Sequence, residues 1–163
     1  MNFKILYISL MAFLILWSCS LEKEAIEIEN SNPEEDLNAT SQKPLSLTVT
    51  IQEEEIAAVL GAYTWSYYDQ KAGGMAAIEA ESLPPSELAG SRKAPAVNSD
   101  TSIELNFEEE PISYKVNIWD AADKLKGSFK EVQLSGESGR TVYEVVATWE
   151  RGTGHYVFPL TVE

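Results

Sequence analysis

From Pro44 to the C-terminus apolar residues recur at every second position, and that period decides what the chain can fold into. Leu45, Leu47, Val49 and Ile51 alternate with Ser46, Thr48 and Thr50, and Tyr63, Trp65 and Tyr67 alternate with Thr64 and Ser66. Four further rows read the same way: Ile103 to Phe107, Ile112 to Ile118, Tyr143 to Trp149 and Tyr156 to Val162. Successive side chains of an extended strand point to opposite faces, so each row is one apolar face that another layer must cover. Phe129 to Leu134 reads as a weaker strand, and the RGTG segment, Arg151 to Gly154, joins the last two rows as a hairpin. Turn-forming residues separate the rows at Gly73-Gly74, Pro84-Pro85, Pro95, Pro111, Gly127 and Gly136 to Gly139. Helical spacing is scarce: Ile56 to Leu60 and Pro84 to Leu88 each allow one turn, the second with proline at the first helical positions. The pattern predicts an all-β chain over residues 44–163, folded as a single β-sandwich of about seven to nine strands.

Ahead of the penultimate row, SGESGRTVYEV places Tyr143 a few residues after a glycine-rich corner and two before Val145. This resembles the tyrosine corner of immunoglobulin-like sandwiches, in which the phenol bonds back to the preceding loop. The resemblance implies an immunoglobulin-like domain, although the cysteine pair of antibody domains is absent. Residues 60–163 run through GAYTW, PPSEL, IELNF, a Trp-Asp pair and GHYVF, and that order is similar to a domain of small extracytoplasmic proteins of Gram-positive bacteria. That group implies no catalytic residue, because the shared positions are aromatic and turn residues.

The first 18 residues differ in kind. Lys4 gives a short positive start, Ile5 to Leu16 is almost wholly apolar, and four glutamates follow between Glu22 and Glu29. The run is shorter than the roughly 20 apolar residues of a membrane-spanning helix and reads as a signal peptide. LWSC, Leu16 to Cys19, resembles a bacterial lipobox, with Trp17 at the permissive position. The resemblance implies cleavage before Cys19, acylation of its thiol and attachment to the extracytoplasmic side of the cell membrane. Two acyl chains suffice for stable attachment. Cys19 is the only cysteine, so its lipidation leaves no thiol for a disulfide, a metal or nucleophilic catalysis. Residues 19–43 are acidic, aromatic-free and rich in Asn and Ser, and read as a flexible tether spanning on the order of 25 to 30 Å.

Charge narrows the partners. With 26 acidic against 12 basic residues and a formal charge of −14, the chain repels phosphate backbones, so nucleic acid is excluded and the lipid alone would hold it at the membrane. His155, the single histidine, sits beside the predicted hairpin turn and reads as an exposed loop residue; no GxSxG elbow accompanies it. The acidic clusters Glu53 to Glu55 and Glu108 to Glu110 and the pair Asp120 and Asp123 do not reproduce the alternation of a linear calcium loop, and read as solvated strand ends. No metal or other cofactor is expected, and no phosphate-cradling motif occurs.

Most aromatic residues fall on the rows assigned to the core. Tyr68 and Trp119 do not: Tyr68 shares a face with Thr64 and Ser66, and Trp119 shares one with Lys115 and Asn117. They are the candidates for a contact surface. The sequence thus leads to a membrane-anchored extracytoplasmic module that binds an envelope protein or glycan without catalysis. The alternatives are a glycan-acting enzyme using paired carboxylates and a Ca²⁺-dependent binding module.

Overall fold

A computed structural model describes residues 41–163. The expected signal peptide, Cys19 and the expected tether up to residue 40 lie outside the described residues. Ten strands follow one another: β1 Leu47–Ile51, β2 Glu54–Ala57, β3 Val59–Asp69, β4 Gly74–Ala80, then helix α1 Pro85–Ala89, β5 Ala96–Val97, β6 Ile103–Phe107, β7 Ser113–Trp119, β8 Leu125–Phe129, β9 Gly139–Trp149 and β10 Gly152–Val162. They build two sheets that pack as a sandwich. The smaller has the order β2-β1-β6, and the larger β4-β3-β10-β9-β7-β8, with β5 parallel to the end of β10. The run β10-β9-β7-β8 follows the G, F, C and C′ strands of an immunoglobulin sheet. The small sheet does not follow that plan, because all three of its strands precede β7 and none comes between β8 and β9, where strands D and E of that plan would lie.

The alternating rows form the layer between the sheets. Leu47, Val49 and Ile51 of β1 meet Trp65 of β3, Val116 and Ile118 of β7, Tyr143, Val145 and Ala147 of β9, and Tyr156, Phe158 and Leu160 of β10. Trp65 and Trp149 pack edge to face with ring centroids 5.5 Å apart, and Tyr143 stacks on Phe158 at 5.5 Å. Such pairs add about 1 kcal/mol each beyond the area they bury. Three strands cannot cover seven, so inward residues at the margins stay partly open. Tyr114, on a row read as core, is exposed beside Phe107 for that reason. The phenol of Tyr143 donates to the Gln133 carbonyl at 3.0 Å, tying the loop that precedes β9 to the core.

Several elements differ from the pattern reading, each for a local reason. Ile56 to Leu60 makes no helical turn. β2 ends in the small sheet, where Ile56 pairs with Val49, and after Ala58 the chain crosses to begin β3 in the large one. The weaker strand lies at Leu125–Phe129 and not at Phe129 to Leu134. Gly127, which reads as a break, is needed there: a Cβ would stand 2.6 Å from Cε2 of Phe129, whose ring lies across it. β4 left no period-two signal because three of its seven residues are alanine. α1 starts after Pro84 with Pro85 in its first turn, as the sequence predicts. Ser41 and Leu45 belong to the sandwich, since their carbonyls accept hydrogen bonds from Trp65 Nε1 at 3.1 Å and from the Tyr156 hydroxyl at 2.5 Å.

Candidate functional site

The rows that point away from the core cover the outer face of the seven-stranded sheet. They carry Thr64, Ser66 and Tyr68 on β3, Met75, Ala77 and Glu79 on β4, Val142, Glu144, Val146 and Thr148 on β9, Thr153, His155 and Val157 on β10, and Lys115, Asn117 and Trp119 on β7. One end of this face is roofed. Leu88 and Ala89 of α1 pack with Val142, Val157 and Trp119 as a second small core. The Ser86 amide and hydroxyl donate to the Asp123 carboxylate at 2.9 and 2.6 Å, fastening α1 to the β7–β8 turn. Arg140 donates to the carbonyls of Gly90 at 2.7 Å and Arg92 at 3.2 Å. Pinned in this way, α1 and the turn after it, as far as Arg92, cover this end of the sheet.

Where the roof ends lies Glu144, buried in the sheet although it is charged. A carboxylate loses its water there and keeps its charge only if donors replace it. Three do. Asn117 Nδ2 and Trp119 Nε1 donate to Oε2 at 2.8 and 2.9 Å, and His155 Nδ1 lies 2.8 Å from Oε1. The Ser128 hydroxyl donates to Oδ1 of Asn117 at 2.6 Å, which fixes the amide with its nitrogen toward Glu144. Burial alone would raise the Glu144 carboxyl, but the hydrogen bonds from His155, Asn117 and Trp119 and the attraction of His155 outweigh it and hold the group below the ordinary carboxylate range. An ionised carboxylate only accepts, so Nδ1 of His155 carries the proton and Nε2 is the ring's remaining polar atom.

Beyond Glu144 the face opens into a trough. A groove of about 540 Å³ runs between the β3–β4 hairpin and the β9–β10 turn, over Thr64, Ser66, Ala77, Glu79, Thr148 and Thr153. A hollow of about 240 Å³ adjoins it, lined by Ala62, Glu79, Glu81, Thr153 and His155. Thr64, Glu79 and Thr153 border both, so they form one surface. At the turn, Arg151 lies over the Trp65 ring at 4.7 Å and pairs with Glu109 at 2.6 Å. The trough therefore mixes hydroxyls and carboxylates with apolar residues such as Ala62, Ala77 and Ile78, and has an oriented imidazole at one end.

Tyr68 and Trp119 share this outer face but lie far apart on it. Tyr68, 44% exposed, stands near the tip of the β3–β4 hairpin opposite Met75. Trp119 is half-buried, its ring against the α1 cluster and its N–H spent on Glu144, so it acts as a support of the site and not as a free contact. His155 is not a loop residue either: it sits within β10, opposite Val146, with its side chain 36% exposed. The acidic clusters are dispersed. Glu108 accepts from the amide and hydroxyl of Ser46, Glu109 takes Arg151, and Asp120 accepts from the amides of Ala122 and Lys124. Among the described residues no three His, Cys, Asp or Glu side chains come together to hold a metal ion.

Comparison of the chain with protein-family models, with curated proteins and with solved structures finds no match, so the chemistry of the face rests on its geometry alone. Sequence reasoning passed over Glu144, the residue that organises the site. Its signal was present: VYEVVA puts one charge inside a six-residue run that is otherwise apolar on both faces, and a buried glutamate requires partners.

Proposed function

We propose that the chain is an extracytoplasmic lipoprotein, held at the cell membrane by lipid on Cys19, whose sandwich works by recognition through the outer face of its large sheet. The observation that carries this reading is the trough, where the hydroxyls of Thr64, Ser66, Thr148 and Thr153, the carboxylates of Glu79 and Glu81 and an imidazole oriented by a buried carboxylate line the surface alongside apolar residues such as Ala77 and Ile78. Such a surface favours a ligand rich in hydroxyl groups, which exchanges hydrogen bonds one for one, over an apolar ligand. An envelope glycan has that chemistry, and Tyr68 stands on the same face to stack against a sugar ring.

Co-sedimentation of the full chain with insoluble cell-wall glycan tests the binding. The chain is expected in the pellet, Thr153→Arg is expected to remain in the supernatant, and Glu53→Arg, in the β1–β2 turn of the opposite sheet, is expected to pellet unchanged. If none of the three pellets, the glycan is the wrong ligand; if Glu53→Arg alone is lost, the face is wrong. For the anchor, Cys19→Ala should move the protein from the membrane fraction to the soluble one.

A second reading, a glycan-acting enzyme, has one observation in its favour: Glu79, Glu81 and His155 line the same hollow. Release of new reducing ends from the same glycan, abolished by Glu79→Gln while binding persists, would select it.

A further inference from the structure

Of the strands that end the two sheets, three bear features that block further pairing. β2 is four residues long and begins with two glutamates; β6 carries Glu104 and runs into Glu108, Glu109 and Glu110; β8 carries Lys126 and pairs irregularly with β7 at Ile118/Trp119. Short length, charge and irregularity are the usual protections of a sheet edge. β4 is different. It pairs with β3 at all seven of its positions without a bulge, has Glu79 as its sole charge, and presents Met75 at 69% exposure. Its other edge has no strand beside it among the described residues.

We propose that β4 pairs antiparallel with β4 of a second copy of this chain, about a twofold axis at Ala77, so that the two large sheets become one. The register follows from length and charge. Only alignment on Ala77 pairs every residue from Gly74 to Ala80, and it sets Glu79 of each copy opposite Met75 of the other, Ile78 opposite Ala76, and Ala77 opposite itself. Alignment on Glu79 would place like charges face to face, which is unfavourable in a sheet. The chosen register covers Met75 twice and separates the glutamates. A twofold, self-complementary contact of this kind closes at a dimer and leaves no further edge exposed at β4. The proposal is independent of any ligand for the trough, yet Ala77 and Glu79 also line that surface, so pairing would set two troughs side by side.

The formal charge of −14 opposes association at long range, and salt screens it. Dimerisation should therefore tighten with ionic strength, the reverse of what complementary charges would give.

Cysteine cross-linking in membranes carrying the full chain tests the pairing. Residues directly opposite in an antiparallel pair have Cα atoms about 4.5 to 5.5 Å apart, within disulfide range. Ala77→Cys should yield a dimer on a non-reducing gel under mild oxidation. Met75→Cys should not, since two copies of residue 75 would lie about 13 Å apart. Glu104→Cys on the β6 edge and the unaltered chain should also give none. Equal cross-linking of all three variants, or none of Ala77→Cys, overturns the proposal. Sedimentation of the detergent-solubilised chain gives a reading without any cysteine: the unaltered protein is expected to be dimeric at high salt and Ala77→Lys monomeric. A monomer throughout would end the idea.

Discussion

Glu144 and His155 are diagonal neighbours on adjacent antiparallel strands, joined Oε1 to Nδ1 across 2.8 Å. The contact makes one residue the frame of the other: the carboxylate fixes the ring, and the ring covers the carboxylate's outer side. Asn117 and Trp119 complete the shell from β7, so a single acceptor holds three strands of the outer face in register.

Removing that acceptor should be costly. Glu144→Leu leaves the Asn117 amide and the Trp119 indole as buried donors with nothing to receive them, a loss of about 3 kcal/mol. Glu144→Gln keeps an acceptor and should lose less. Urea unfolding followed by tryptophan fluorescence orders the three proteins; midpoints for both variants equal to that of the unaltered chain would mean the shell contributes no net stability.

The same residue sets a pH dependence. Its carboxyl is held lower in the folded chain than the ordinary 4.5, so the stabilisation is complete above that value and disappears as the pH falls through the lowered folded-state value. Melting temperature should decline below about pH 4.5, and the decline should be shallower in Glu144→Gln. Comparison with the variant isolates this group from Glu108 and Asp120, which are lowered as well.

Gly152 and Gly73 should respond very differently to alanine. At Gly152, with φ +150°, a Cβ would stand 2.0 Å from the Thr64 carbonyl oxygen, whereas at Gly73, with φ +68°, nothing lies within 4 Å. Gly73→Ala meets only backbone strain of about 1 kcal/mol. Gly152→Ala must push β3 away from the β9–β10 turn and should cost about 3 kcal/mol or more. Thermal melts of the pair check this, and equal losses would show that the turn relaxes freely.

Tyr143→Phe deletes one hydroxyl and leaves the stacked ring in place. About 1 kcal/mol of stability should go with it. The sharper readout is local: amide hydrogen exchange should quicken across the loop of residues 130–138 while β9 stays protected. Unchanged exchange in that loop would mean that the phenol does not hold it.

The sandwich was legible because apolar rows such as Leu47, Val49 and Ile51 announce a buried face directly. Elements without contrast were not legible. Alanine on both faces of β4 hid a full strand, and Gly127 looked like an ending because its role depends on a ring two residues away. The site was harder still. Tyr68 and Trp119 could be assigned to outward faces by alternation, but which of them is covered depends on where α1 lies. Glu144 and His155 are eleven positions apart in the chain and meet only because β9 and β10 pair, so the sequence holds both residues without stating the contact.

The short lead into β1 also has a mechanical meaning. Ser41 and Leu45 are fastened to the core by single hydrogen bonds from Trp65 and Tyr156, whereas β1 behind them is laced to β6 at five positions. Tension arriving from the N-terminal side meets the two isolated fasteners first. When they part, the chain yields only as far as Ser46, where three hydrogen bonds to Glu108 begin the β1–β6 ladder and take the load. The segment serves as a fuse, yielding slack under a sudden pull while the sandwich stays closed.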